Sequence, residues 1–362
     1  MIYHIYWGTS GNSGLYLDAI YNVLKERGYS QKAFVNYYYP FDYGEKVFFK
    51  RGDIAFGKKG RIRKLFQLLE VIKGYAIILV NSKRDKPELI NYSHAAKSYF
   101  FIPLYLKFLR RLSGAKLMIT CHDVLPLGGA SSEMKYRKRI FDLADYLLVH
   151  NDNSRKELID SFKADGSKIV EHLFPIMDLS RLPKTQKRFS PVDFLFIGHL
   201  RKNKGVQLLL DSWLEFHKIV PSASLRICGA PTSDIKIDEL LLKESNVELN
   251  LHFIADDDYP SYIESARYVI LPYLTGTNSG IISTVLSLGA GVIASDLPMF
   301  LENPLVDAGD LFKCGDSESL VQKMYEKYGQ KNNLCNNQKY DNYKLEFEEG
   351  VTKVYSSILN YE

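Results

Sequence analysis

Short apolar runs alternate with amphipathic stretches along nearly the whole chain. In the first half the apolar runs predict strands at 2–7, 33–37, 75–80, 116–121, 146–151 and 168–172. Three- and four-residue spacing of apolar positions predicts helices near 14–27, 61–73, 95–113, 133–143 and 153–163. Residues 177–191, MDLSRLPKTQKRFSP, lack periodicity and hold two prolines, which reads as a linker. The alternation then restarts, with strands at 192–197, 224–228, 251–255, 268–272 and 292–295 and helices near 205–219, 234–244, 259–266, 279–288 and 317–328. A last helix covers about 340–362. Short apolar strands separated by helices imply parallel sheets covered on both faces. The expected architecture is α/β: a doubly wound, Rossmann-like domain at 1–176, the linker at 177–191, and a second such domain at 192–339.

Composition and charge refine this frame. A chain of 362 residues can build two cores, and 46% hydrophobic with 25% charged residues is ordinary for a globular protein. No uninterrupted apolar run approaches the ~20 residues of a membrane span. The opening MIYHIYWG has no basic region or cleavage site and reads as a first strand. Cys121, Cys228, Cys314 and Cys335 lie far apart without metal-ligand spacing, as expected of reduced thiols in a cytoplasmic protein. The net charge of +5 hides an asymmetry. Residues 1–120 carry 20 Lys and Arg against 8 Asp and Glu, and the remainder carries 27 against 34. A basic first part suits an anionic surface or acceptor. Within it, KKGRIRKLFQLLEVIK (58–73) and YFFIPLYLKFLRRLSGAK (99–116) mix apolar residues with Lys and Arg. They read either as helices resting on anionic lipid headgroups or as sheet-covering helices with a solvated basic face.

Ligands of open α/β sheets bind beyond the carboxyl ends of the strands. Four polar motifs fall there: Trp7–Gly14, His122–Pro126, His199–Lys204 and Tyr273–Gly280. In VDFLFIGHLRKNKG (192–205) a buried strand runs into a loop bearing Arg201, Lys202 and Lys204 just before a helix. Cations beside a helix start cost about 0.3–1 kcal/mol each, so their clustering calls for an anion such as a diphosphate. Thr277, Asn278, Ser279 and Gly280 open another helix, either as plain caps or as free backbone N–H groups that a phosphate can approach. WGTSGNSG places glycines at 8, 11 and 14, which is not the G-x-G-x-x-G spacing of dinucleotide enzymes. His122 can hydrogen-bond a ligand, move a proton, or serve structurally. The other histidines read as structural or surface residues. Asp256, Asp257 and Asp258 invite a metal reading, but they precede a helix with Pro260 in its first turn and read as carboxylates that cap and complement its start, so no metal is expected.

The order FIGHLRKNKGVQLLLDSW, LRICGA, then VELNLHFIADDDYPSYIESARYVILPYLTGTNSGIISTVLSLGAGVIASD resembles the C-terminal domain of retaining GT-B glycosyltransferases of the large family 4 group, above all the subset with a PY…T.SG loop. WGTSGNSG, ITCHDVLP and ADYLLVHNDNSRKEL resemble the first domain more loosely. The resemblance implies two domains facing across a cleft, a last helix that crosses back to the first domain, and a nucleoside-diphosphate sugar as co-substrate with no other cofactor. It implies diphosphate contacts at Arg201 and Lys204, a phosphate-binding helix start around Thr277, Asn278, Ser279 and Gly280, and a sugar contact at His122. The same likeness puts Gly11, Asn12, Ser13 and Gly14 in a loop facing donor and acceptor, and Ile254 beside the nucleobase. Many relatives carry two glutamates where Gly276 and Thr284 stand here.

These features predict a metal-independent retaining transferase acting on a hydroxyl of a glycan or polyprenyl-diphosphate-linked acceptor. Bacterial surface polysaccharide assembly, O-antigen or capsule, is the expected setting, with peripheral contact to an anionic membrane and no nucleic-acid partner. A nucleotide-sugar epimerase on the same fold and a non-catalytic partner subunit are the alternatives.

Overall fold

The computed structural model describes residues 1–6, 13–50, 61–93, 100–126, 131–179, 187–233, 235, 237, 245–255, 257–276, 279–330 and 337–360, with the side chains of 13, 61–64 and 337 outside that description. The chain divides into two units, Met1–Pro175 with Glu346–Glu362, and Ile176–Leu345.

The first unit holds a seven-stranded, all-parallel sheet. Its strands are β1 (Ile2–Tyr6), β2 (Gln31–Asn36), β3 (Gly44–Phe48), β4 (Leu89–Ser93), β5 (Lys116–Thr120), β6 (Tyr146–Val149) and β7 (Ile169–Glu171), in the order β3-β2-β1-β4-β5-β6-β7. Tyr3 and Ile5 of β1 enter one core while Ile2 and Tyr6 enter the other. This alternation follows from the two-residue period of a strand buried on both faces. One face is covered by α2 (Arg61–Asp85), α3 (Ile102–Ser113), α4 (Ser131–Phe141) and α5 (Asp152–Phe162). The other is covered by α1 (Ser13–Glu26) and by the long final helix, Asn337–Leu359, through Phe347, Val351, Val354, Tyr355 and Ile358. Asn91 donates to Tyr355 Oη at 3.0 Å and Lys116 Nζ donates to the Ile358 carbonyl at 2.5 Å, tying that helix to β4 and β5.

Two expectations fail here. The run 75–80 is not a strand but the middle of α2, and the strand lies later, at Leu89–Ser93. Residues Leu65–Asp85 also reach the length and apolarity of a membrane-crossing helix, with mean hydropathy 1.4, where none was expected. Tyr75 and Ile78 are buried against the sheet while Val80 faces outward, so apolar residues lie on both sides of the helix's second half and no amphipathic period marks it there. The edge strand Gly44–Phe48 was also not expected.

The second unit repeats the plan with β8 (Val192–Ile197), β9 (Leu225–Cys228), β10 (Val247–Asn250), β11 (Ala266–Leu271), β12 (Gly291–Ser295) and β13 (Leu311–Phe312). All pair in parallel in the order β10-β9-β8-β11-β12-β13. Helix α6 (Val206–Ile219) buries Leu209, Trp213 and Phe216 beside α10 (Ser317–Tyr328). The short helices α7 (Tyr259–Glu264), α8 (Ile281–Ser287) and α9 (Pro298–Leu301) complete the described set, and the last helix is α11. The expected strand at 251–255 is found at Val247–Asn250 instead. The expected helix 234–244 falls largely outside the described residues.

Three histidines are sealed in the first unit. His4 Nε2 donates to Gln31 Oε1 at 3.0 Å. His150 Nδ1 donates to the His172 carbonyl at 3.1 Å and its Nε2 accepts from Tyr16 Oη at 2.9 Å, an arrangement that uses the neutral ring. His172 Nδ1 donates to the Leu173 carbonyl at 2.8 Å. Burial pushes His4 and His172 down to about 4 and His150 further below its usual value, where the neighbouring His172 and His122 add to the effect. Between about pH 6.5 and 4 the unfolded chain therefore binds protons that the folded unit refuses. Stability is full above about pH 6.5 and falls as the pH drops, by up to about 4 kcal/mol per pH unit for three such groups. Melting followed by circular dichroism from pH 7.5 down to 4.5 should show a steep loss, and a flat profile would contradict neutral burial of these rings.

Candidate functional site

In the second sheet the strand order reverses between β8 and β11, the position where doubly wound sheets take their ligands. The chain leaving β8 turns at Arg201, whose backbone is extended, into a short helical turn, Lys202–Lys204, and enters α6 through Gly205. Gly205 has φ +66°, and a Cβ there would lie 1.6 Å from the Pro272 carbonyl oxygen. Left-handed backbone and contact with a neighbouring main chain together demand glycine. Leu274 N donates to the Asn203 carbonyl at 2.9 Å, a second tie between the loops that follow β8 and β11. Ser295 Oγ donates to the Tyr273 carbonyl at 2.7 Å, anchoring the second loop to the end of β12.

These ties assemble a positive cluster. Lys204 Nζ stands 3.5 Å from the ring centroid of Tyr273, which is only 5% exposed. A cation–π contact of this kind is worth about 0.5–2 kcal/mol and holds the ammonium without neutralising it. Arg201 is exposed, and among the described residues neither it nor Lys202 or Lys204 forms an ion pair with a carboxylate. His199 is held below its usual pKa by burial and then by Arg201 and Lys204, so the imidazole stays neutral and the two cations dominate the local field.

Across the switch point, α8 begins after Gly280 with no side-chain hydrogen bond at the capping position. Ser283 Oγ and Thr284 Oγ1 return to the Gly280 carbonyl at 3.2 and 3.3 Å. Ser279 and Gly280 are partly accessible, whereas Thr277 and Asn278 lie outside the described residues. Thr284 is fully buried and also reaches the Met177 carbonyl at 3.4 Å. At Gly276 an added Cβ would meet Met299 Cε at 3.0 Å. The two positions where many relatives carry glutamates thus offer no carboxylate, and Thr284 faces the interior. Ile254 lies four residues beyond β10 with its side chain buried, while Phe253 next to it is exposed.

Asp258 occupies the capping position of α7, yet its carboxylate makes no cap bond and pairs with Lys187 Nζ at 2.7 Å. This corrects the expectation of side-chain capping there; Asp256 lies outside the described residues.

In the first unit His122 follows β5, with Tyr16 of α1 edge-on at 4.4 Å between ring centroids. Burial pushes His122 down to about 4 against the opposing pull of Asp123, so the ring is neutral and carries both a donor and an acceptor. Buried Arg137 fixes this loop: it donates to the Asp123 carbonyl, to the Val124 carbonyl at 3.1 Å, and to Glu133 at 2.7 Å. Gly14 lies in the first turn of α1, where an added Cβ would meet Pro40 Cδ at 3.0 Å, so packing against Pro40 leaves little room for a side chain there. Gly11, Asn12 and the Ser13 side chain lie outside the described residues. Tyr16 and Arg137 were not foreseen as parts of these sites, and Tyr273 and Asn203 fell inside two of the expected motifs without being given a role. Only Tyr273 had a visible sign, its place in the Pro-Tyr pair.

Comparison with known proteins bears on both units. Residues 191–329 match the family described as glycosyl transferases group 1. An uncharacterized glycosyltransferase of Methanocaldococcus jannaschii is 23% identical over 296 residues, covering 76% of this chain and 71% of the relative. Among solved structures, Anabaena HepE in complex with UDP-glucose superposes with a TM-score of 0.64 at 13% identity, covering 98% of this chain and 99% of the other. The lipopolysaccharide outer core galactosyltransferase WaaB gives 0.61 at 15% identity, with 99% of each chain covered. The fold is thus the α/β fold of GT-B glycosyltransferases, two parallel sheets with covering helices. Together with the matched segment it supports a glycosyltransferase.

If the two loops are locked through Gly205, Gly205→Ala should cost at least about 1–2 kcal/mol from its backbone alone, or about 1–3 °C in melting temperature for a chain of this size. It should also weaken nucleoside-diphosphate binding measured by calorimetry. A variant that melts and binds like wild type would show that the loops are not locked.

Proposed function

We propose that the protein transfers a sugar, with retention at the anomeric carbon, from a nucleoside-diphosphate sugar to a hydroxyl of a glycan or lipid-linked glycan. The carrying observation is the positive cluster of Arg201 and Lys204 at the reversal point of the second sheet, held by Gly205, Asn203 and Tyr273. Breaking the bond between the sugar's C1 and the diphosphate oxygen leaves negative charge on the departing diphosphate and an oxocarbenium-like sugar. Arg201, Lys204 and the backbone amides after Ser279–Gly280 stabilise that charge, and Thr277 and Asn278 belong to the same loop. Charges fixed in advance lower the barrier because nothing has to reorganise as the bond breaks. In this reading they serve the leaving group in place of a divalent metal. His122, neutral at pH 7, hydrogen-bonds a hydroxyl of the transferred sugar. The nucleobase lies beside Ile254.

Retention and the residue roles are supported by the likeness of FIGHLRKNKG and PYLTGTNSG to retaining members of the large family 4 group. A polysaccharide setting, O-antigen or capsule, is supported by the structural likeness to an outer core galactosyltransferase. The acceptor is then a polyprenyl-diphosphate glycan presented at the inner face of an anionic membrane, where cytoplasmic nucleotide sugars are available. The missing glutamates at Gly276 and Thr284 favour one other reading, a donor-binding partner subunit without turnover.

Thermal shifts with UDP, GDP, ADP and CMP should single out one nucleotide. Replacing Arg201 and Lys204 together by Ala should erase that shift, leave the melting temperature of the unliganded protein nearly unchanged, and lower transfer by at least ~100–1000-fold. Unaltered turnover in the double variant would refute the assignment. A wild-type protein that binds the nucleotide but transfers nothing to any glycan acceptor would select the partner-subunit reading.

A further inference from the structure

We infer that the outer face of α2 and α3 is a docking surface for an anionic lipid bilayer. Among the described residues, nine of the seventeen exposed large apolar side chains belong to α2, or to α3 and Phe100 just before it. On α2, Leu65, Leu69, Ile72 and Val80 recur at helical spacing on the side opposite Tyr75 and Ile78, which are buried in the core. On the neighbouring segment Phe100 is 85% and Leu104 72% exposed, with Phe108 one turn further on. The two helices lie side by side on one sheet face, joined where Tyr105 Oη donates to the Tyr75 carbonyl at 3.2 Å and the two rings meet at 4.2 Å. Their outward faces therefore form one apolar area, larger than the scattered apolar residues a soluble surface normally shows.

Its charge identifies the occupant. Lys73 stands beside Ile72, and Lys107 and Arg111 lie within one turn of Leu104 and Phe108, all three exposed. Residues 61–113 hold 11 Lys and Arg against 3 Asp and Glu, and α3 contains no acidic residue. Lysine is depleted from the cores of protein–protein interfaces. Cations among Phe and Leu are the composition of helices that lie in the headgroup layer, with apolar tips below it and ammonium or guanidinium groups among phosphates. A spanning helix is ruled out by the fold: α2 connects β3 to β4 of one parallel sheet and keeps Val71, Tyr75 and Ile78 in its core. The surface deepens the proposed function and rests on its lipid-linked acceptor only for its purpose, since adhesion and transfer are measured separately.

The test is co-sedimentation of the full chain with vesicles of phosphatidylcholine alone or mixed with phosphatidylglycerol. Wild type should partition onto the mixed vesicles and be released by high salt, and should stay in solution with the neutral ones. Leu104→Asp with Phe108→Asp should lower partitioning at least ~10-fold, and Lys107→Ala with Arg111→Ala about 10-fold or more while reducing the salt dependence. Both pairs are exposed and distant in sequence from the donor loops, so their melting temperature and nucleotide shift should match wild type. The inference is overturned if wild type ignores anionic vesicles, if the aspartate pair binds as wild type does, or if sedimentation velocity shows a wild-type dimer that the aspartate pair dissociates. Loss of the nucleotide shift in wild type would instead count against the proposed function and leave adhesion standing.

Discussion

The contact on which the second unit's chemistry depends is between two main chains. Gly205 and the Pro272 carbonyl approach so closely that no Cβ fits between them, and the amide of Leu274 closes on Asn203 beside them. The loops that leave β8 and β11 are thereby tied at two points. Arg201 and Lys204 lie three residues apart on the first of them and repel each other. Here Arg201 is carried by a turn fused to its neighbour, and Lys204 rests on a ring whose face attracts it. Repulsion between like charges is borne by the fold, and in the proposed function the donor's diphosphate is what relieves it.

The first unit solves a different problem. Polar rings are placed at the carboxyl ends of consecutive strands: His122 after β5, His150 after β6 and His172 after β7. Burial keeps them uncharged, and Tyr16 Oη supplies the hydrogen that His150 Nε2 needs. His122 stands at the edge of this row, touched by Tyr16 and steadied through Arg137, whose guanidinium holds the carbonyls of the next two residues. A neutral, oriented imidazole is suited to hydroxyl recognition, where a charged one would only donate.

Much of this was readable in the chain, for particular reasons. The strands Val192–Ile197, Ala266–Leu271 and Gly291–Ser295 are mostly apolar, broken only by Asp193, Arg267 and Ser295, and are bounded by polar loops, so burial on both faces marks them directly. Arg201 and Lys204 stood out because cations crowd a helix start. The misreadings also have causes. AIILV at 76–80 looks like a strand because its residues are β-branched and apolar, yet it continues a helix whose outer face is apolar too. Leu89–Ser93 was missed because Asn91 and Ser93 break the apolar run, and Asn91 meets its partners, Tyr355 and Thr120, only in the folded chain. Leu311–Phe312 is too short to carry any period. The Lys204–Tyr273 and Arg137–Asp123 contacts join residues far apart in the chain, and no local pattern announces them.

The position of α11 bears on how the molecule is made. The first sheet is threaded from residues 2–171, but the face that carries Ile2, Leu89 and Met118 is only partly covered by α1 until Phe347 to Ile358 arrive. On a ribosome, the opening half of the chain thus emerges with one apolar face only partly covered while the 176 residues from β7 to Phe347 are still being translated. Its final closure is a long-range event, slow by the usual relation between sequence separation and folding speed. A nascent chain of this kind is a natural client for chaperones, and premature termination anywhere upstream of Phe347 would strand a half-covered sheet.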